Sequence, residues 1–172
     1  MRGMSLHGQT LVARAVATIT GWCETVLVGP NGLHPSLSLA QLCAGADVVV
    51  VHDPLCPLIT ATELAQCAAG VRPGVAVCGL RPVTDTVKRV EDGLLRATLD
   101  RDLLATLASP VAFGADLVEP LSLRLPAAGG LGDMVGLVGA LTGVASLGGV
   151  PVSSAGRRVS DAEDLAVLAL TS

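Results

Sequence analysis

Apolar residues at Leu11, Val12, Ala15, Val16 and Ile19 recur at the spacing of one helix face, which predicts a helix near the start of the chain. Two short β-branched runs follow, Thr25–Val28 and Asp47–Val51, each bounded by Gly, Pro or Asp and separated by Ser36–Cys43. Both read as buried strands. Thr60-Ala61-Thr62-Glu63 has the spacing of a capping box ahead of Leu64, Ala65, Ala68 and Ala69, and Gly74–Gly79 then reads as another strand. Strand and helix alternating in this way predict a parallel α/β sheet.

The alternation breaks at Arg81. Val83–Val90 and Leu94–Leu99 flank Glu91-Asp92-Gly93, which predicts a β-hairpin projecting from the sheet over residues 81–100. A short helix is expected next, then Phe113, a loop over Pro126–Gly132, a Gly-rich helix, a strand around Val150–Val152 and a last helix. Ser160-Asp161-Ala162-Glu163 repeats the capping-box spacing before that last helix. No repeat or long linker divides the chain, so residues 1–172 are expected to form one domain.

Composition narrows the function classes. With 51% hydrophobic and 15% charged residues in 172, the chain has ample material for one core and is too apolar for disorder. Aromatic content is 1%, contributed by Trp22 and Phe113, so no stacking platform for bases can be built. A formal charge of −4 with 11 Lys and Arg leaves no basic stripe, and no nucleic-acid partner is expected. The uncharged stretch Met134–Val150 falls just short of the ~18 residues of a membrane span and carries many glycines, so it reads as a buried helix followed by a strand. The five cysteines contain no C-x-x-C pair and read as reduced thiols acting as small hydrophobes. With no apolar signal segment at the start, the chain is expected in the cytoplasm, without a membrane partner.

In open α/β sheets, ligands bind beyond the carboxyl ends of the strands, and His52-Asp53 sits directly after the strand Val48–Val51. A carboxylate there can hold a divalent cation against a phosphate, or it can cap the following turn. Position alone leaves both readings open.

Three blocks in the same order, "VVVVHDPLCPLIT", "RPVTDTVKRV" and "LDRDLLATLASPVAF", resemble the 2-C-methyl-D-erythritol 4-phosphate cytidylyltransferase family of the non-mevalonate isoprenoid pathway. The opening "LHGQTLVARAV" and closing "RRVSDAEDLAVLAL" are similar to segments of the same family. The resemblance implies a Rossmann-like nucleotidyltransferase sheet with a projecting hairpin arm. It implies CMP transfer from CTP to a sugar-alcohol phosphate, with Mg2+ as cofactor.

Carried over position by position, it implies that Asp53 lies at the metal and substrate position and that Arg158 replaces the late catalytic lysine. The hairpin resembles the arm that embraces a second subunit, which implies a homodimer. Thr86, and Arg101 after it, would reach the substrate phosphate of the neighbouring chain, and Asp133 matches a further substrate position. Read without the resemblance, the same segment is an ordinary solvated hairpin.

The departures are as specific. The family opens with a strand and a Gly-rich, Arg-containing loop followed by a Pro-Lys pair, and Met1 falls just after the matching region, so that strand and loop are expected to be missing. The cytosine-reading loop is replaced by "PNGLHPSLSLA", which keeps only Ser36 and Ser38 as polar contacts. Cys56 stands where the family has the arginine of His-Asp-Ala-Ala-Arg-Pro, and Val111 where it has the glutamine of Thr-Pro-Gln. The loop "PAAGGLGDM" imitates a phosphate loop but lacks a basic residue, and it reads as a connection. The expectation is a weak or inactive homologue, a pseudoenzyme, because the CTP side is lost. Two alternatives stand beside it: an active enzyme whose start lies upstream of Met1, and a regulatory or dimerisation partner of a complete paralogue.

Overall fold

A computed structural model describes residues 4–23, 39–125 and 134–171. The strand expected at Thr25–Val28, Ser36 and Ser38, the loop Pro126–Gly132 and Asp133 lie outside the described residues.

The chain opens with a small hairpin, β1 (Ser5–Leu6) and β2 (Gln9–Thr10), turned through His7 and Gly8, both at positive φ. Helix α1 (Leu11–Thr20) follows at once, and Thr10 caps it by accepting the Ala13 N–H at 3.2 Å. After α2 (Leu39–Leu42) come β3 (Val48–Val51), α3 (Ala61–Ala69) and β4 (Val75–Pro82). The expected Thr60–Glu63 capping box closes the start of α3 in both directions. An arm of β5 (Lys88–Glu91) and β6 (Leu94–Thr98) follows, and then β7 (Ala105–Gly114), α4 (Val118–Ser122), α5 (Met134–Thr142), β8 (Ser146–Pro151) and α6 (Ala162–Thr171). The helix and strand expected within Met134–Val150 are therefore present as α5 and the start of β8.

The central sheet has the order β3-β7-β4-β8 and is mixed rather than parallel. Strand β7 runs antiparallel to both β3 and β4, whereas β8 is parallel to β4. The sequence pattern missed β7 because Pro110 interrupts the run, and a proline has no N–H for the ladder of a central strand. The sheet solves this with a bulge: Cys78 pairs with Val111 but Gly79 pairs with Ala108, leaving Ser109 and Pro110 out of register. Gly79 is needed at that point, since a Cβ there would lie 2.8 Å from the Ser109 carbonyl oxygen.

Both faces of the sheet are covered. Ala76, Cys78, Val111 and Phe113 pack with Leu117, Leu121, Leu137 and Leu141 from the α4 and α5 side. Val77 and Ala112 meet Cys67 of α3 on the other face, where Cys56, Ile59, Leu64, Ala108 and Val152 form a neighbouring cluster. A third cluster of Leu6, Leu11, Val159 and Leu168 docks α6 against the opening hairpin and α1. Cys43, Cys56, Cys67 and Cys78 are buried within these clusters, as small hydrophobes. No helix among the described residues is long and apolar enough to cross a membrane.

Two boundaries differ from the sequence reading. Strand β4 continues through Arg81 to Pro82, so the chain leaves the sheet later than expected, and the arm pairs only from Lys88. Its turn is the two-residue Asp92-Gly93, both at positive φ, which suits the twist of a tight hairpin. Helix α6 starts at Ala162, so Asp161 rather than Ser160 is its cap: Asp161 Oδ1 accepts the Asp164 N–H at 2.8 Å, and Asp164 Oδ2 accepts the Ser160 N–H at 2.9 Å.

Candidate functional site

The bulge in β7 sets the site. It turns the Ser109 hydroxyl toward the end of β3, where Ser109 Oγ accepts the Asp53 N–H at 3.0 Å and lies 2.8 Å from His52 Nδ1. Ser109 Oγ accepts from Asp53, and the direction of its bond with His52 Nδ1 is set by the tautomer of the imidazole. Burial drives the His52 pKa down to about 4, outweighing the opposing charge of Asp53, and the imidazole is neutral at pH 7. His52 and Ser109 together fix the backbone from which Asp53 projects.

Asp53 uses both oxygens. Oδ1 accepts the Leu55 N–H at 2.9 Å, and Oδ2 accepts from Arg158 Nε at 2.8 Å. Arg158 reaches it from the segment before α6, where Val159 N–H bonds Leu55 O at 2.7 Å and Val159 is fully buried. The turn after β3 and the segment before α6 are thus zipped side by side. Asp53 caps the turn through Oδ1, and its other oxygen pairs with the Arg158 guanidinium.

The structure brings together two of the expected site residues, Asp53 and Arg158. Thr86 is exposed between β4 and the arm, and Arg101 lies in a 3-10 turn after β6, where its Nη1 donates to Thr84 O at 2.8 Å. No hydrogen bond or ion pair links either of them to Asp53 among the described residues. Cys56 is buried beside the site, and its thiol is pushed up to about 11 by burial and the Asp53 charge, partly offset by a hydrogen bond with the Ser109 backbone and then by Arg158 and Arg81. Val111 is fully buried in β7.

Asp53 is the carboxylate that would hold a magnesium ion against a substrate phosphate, since magnesium is usually bound by one or two carboxylates together with phosphate oxygens and water. Its oxygens accept the Leu55 N–H and Arg158 Nε, and each keeps a further lone pair. Among the described residues no group of three or more His, Cys, Asp or Glu is placed to hold a metal on protein ligands alone.

Sequence reasoning missed Ser109 and Arg81. Ser109 carried a signal in the Ser-Pro step within an apolar run. Arg81 had one too, as a cation closing an otherwise apolar strand.

The sequence model of the 2-C-methyl-D-erythritol 4-phosphate cytidylyltransferase family matches residues 32–167. Curated relatives carrying that name include one from Lysinibacillus sphaericus, 38% identical over 94 residues, covering 52% of this chain and 40% of the relative. Another, from Geobacter metallireducens, is 37% identical over 107 residues, covering 62% and 44%. These matches thus span a little under half the length of the relatives. Among solved structures, 4-diphosphocytidyl-2C-methyl-D-erythritol synthase from Anaerococcus prevotii superposes with a TM-score of 0.75 at 15% identity, covering 98% of this chain and 91% of that one. The 2-C-methyl-D-erythritol 4-phosphate cytidylyltransferase from Thermus thermophilus gives 0.68 at 19%, covering 97% and 91%. The fold is therefore the Rossmann-like nucleotidyltransferase sheet, and with the family match reaching from residue 32 to residue 167, this chain belongs to the 2-C-methyl-D-erythritol 4-phosphate cytidylyltransferase family.

Proposed function

We propose that this chain is a cytidylyltransferase-family subunit that keeps a sugar-alcohol phosphate site and transfers CMP from CTP weakly or not at all. The observation that carries the reading is the Asp53–Arg158 pair standing beside a buried, neutral Cys56. Joining a phosphate monoester to a nucleoside triphosphate brings several negative charges together, so the rate depends on cations fixed around them before reaction. Arg158 is one such cation, oriented by Asp53. Cys56, where the family has an arginine, supplies none, and Val111 offers no amide in place of the family's glutamine. Each lost preorganised donor costs about 2.7–4 kcal/mol of transition-state stabilisation, so two together remove several orders of magnitude.

The arm supports a homodimer in which Thr86 and Arg101 reach the phosphate site of the neighbouring subunit, with Asp133 as a further substrate contact. A second reading, a non-catalytic partner of a complete paralogue, is favoured by the same arm, whose Val90, Leu94 and Leu95 are exposed. The deciding experiment is pyrophosphate release from CTP and 2-C-methyl-D-erythritol 4-phosphate with magnesium. None above a protein-free control is expected. Release that Asp53→Ala abolishes would establish an active enzyme and overturn the impaired reading.

A further inference from the structure

Arg81 ends the inner run of β4, and the strand's alternation fixes which way it faces. Ala76, Cys78 and Leu80 pack toward the α4 and α5 side, whereas Val77 packs toward α3. Gly79 and Arg81 therefore share the α3 face, the face that holds Cys56, Ile59, Ala108 and Val152. Strands β3 and β4 run in the same direction, since each is antiparallel to β7. Arg81 consequently stands at the same carboxyl-end edge as Asp53, the edge where sheets of this kind bind ligands.

The Nε of Arg81 is buried and has no hydrogen-bond partner, and no hydrogen bond or ion pair engages the rest of its guanidinium among the described residues. A guanidinium carries five donors and no acceptor, and since Arg81 as a whole is half-buried it is the buried Nε that costs free energy until an oxygen reaches it. Arg158 spends Nε on Asp53 and makes no second bond among the described residues. Both guanidinium groups lie near enough to the Cys56 thiol to act on it, adding to the Ser109 backbone hydrogen bond against the rise caused by burial and by Asp53. With His52 neutral and one carboxylate against two arginines, the corner carries one excess positive charge.

We infer that Arg81 and Arg158 form a two-guanidinium site for a phosphate group, with Asp53 orienting Arg158 and Arg81 supplying the unpaired buried donor. Two planar forks at one corner match the oxygens of a tetrahedral dianion better than a single carboxylate. Arg81 brings its charge to this corner from β4, across β7 from the strand that Asp53 follows. The assignment deepens the proposed function by naming a residue that grips phosphate, and it rests on that reading only for the ligand's identity.

Thermal unfolding of the full chain, titrated with inorganic phosphate against chloride at matched ionic strength, tests it. Wild type is expected to show a saturable rise in Tm. Arg81→Met should abolish that rise while unfolding no earlier without phosphate, because the orphaned donor is gone. A purely structural arginine would instead make Arg81→Met unfold earlier at every phosphate concentration. Should Arg81→Met fail to fold, Arg81→Lys followed by phosphorus NMR serves instead, with binding expected to weaken about tenfold or more. A flat wild-type titration, or phosphate binding unchanged by either substitution, overturns the inference. Repeating the titration with 2-C-methyl-D-erythritol 4-phosphate and with CMP tells the sugar-phosphate and nucleotide sources apart. Arg81-dependent phosphate binding without recognition of the sugar phosphate sinks the ligand reading and leaves this site standing. Sugar-phosphate binding indifferent to Arg81 does the reverse.

Discussion

Arg158 Nε and Asp53 Oδ2 meet at 2.8 Å across 105 residues of chain. The arginine side chain is 51% exposed and the aspartate 18%, so the two ends of this pair do unequal structural work. A half-exposed ion pair contributes up to about 1 kcal/mol, and Arg158→Ala should cost no more than that in urea unfolding. Asp53→Ala also strips the Leu55 N–H of its acceptor, and should cost about 1–3 kcal/mol. Equal costs for the two variants would mean that Asp53 does not hold the turn.

Ser109 carries a larger expectation, because it is 1% exposed and bonds two neighbours at once. Ser109→Ala leaves the Asp53 N–H and His52 Nδ1 without a partner in a buried place, which should cost about 2–4 kcal/mol if both penalties fall due. The companion variant Ser109→Thr keeps the hydroxyl and should lose less. Urea midpoints for the two check the ranking. Loss of stability that is the same in both would point to packing of the bulge rather than to its hydrogen bonds.

The residues that made the site legible in sequence were those whose neighbours in the chain are also their neighbours in space. Asp53 follows an apolar run and Glu63 sits three residues after Thr60, so strand end and helix start could both be read from spacing. The meeting of Asp53 with Arg158 was legible only through the family resemblance, since no local pattern spans 105 residues. Strand β7 was hidden by Pro110. The periodicity rule expects an unbroken ladder, and here a bulge absorbs the proline and in doing so aims Ser109 at the site. Arg81 was hidden for a different reason: a cation closing an apolar strand is a weak signal, and the lack of a partner for its buried Nε, which gives it weight, needs coordinates.

Glu63 supplies a pH test away from the site. Burial alone would raise its pKa, but the Ser153 N–H at 2.7 Å, the Thr60 N–H at 2.7 Å and the Thr60 hydroxyl at 2.8 Å together hold it below the usual carboxylate value. The unfolded chain therefore binds the proton more tightly than the folded one. The stabilisation is fully present above the unfolded value, about 4.3, and is lost as pH falls through the lower folded value. Glu63→Gln keeps one oxygen but turns an amide toward the other donors, and should cost about 1–3 kcal/mol at pH 7. That deficit should shrink as pH drops below the ordinary glutamate range. A gap between wild type and variant that stays constant down to pH 3 would show that the carboxylate's charge is irrelevant to the link between α3 and the end of β8.

The arm gives the last prediction, because its exposed surface is apolar where a solvated hairpin would be polar. Val90 and Leu95 are direct cross-strand partners, so they share one face, and they are 61% and 74% exposed. Leu94, opposite Glu91, is 57% exposed on the other face, and Leu103 near the arm's base is 83% exposed. An isolated two-stranded hairpin is marginally stable in water, and an uncovered apolar edge invites pairing with another chain. A homodimer through the arm would cover these side chains. Light scattering at micromolar concentration should give the mass of two chains. Leu95→Glu, combined with Val90→Glu, should give one chain, with the fold intact by circular dichroism because neither residue belongs to a core cluster. Wild type that stays monomeric removes the physical basis for placing Thr86 and Arg101 in a neighbour's phosphate site, since on their own chain Arg101 is tied to Thr84 O and neither is bonded to Asp53 among the described residues.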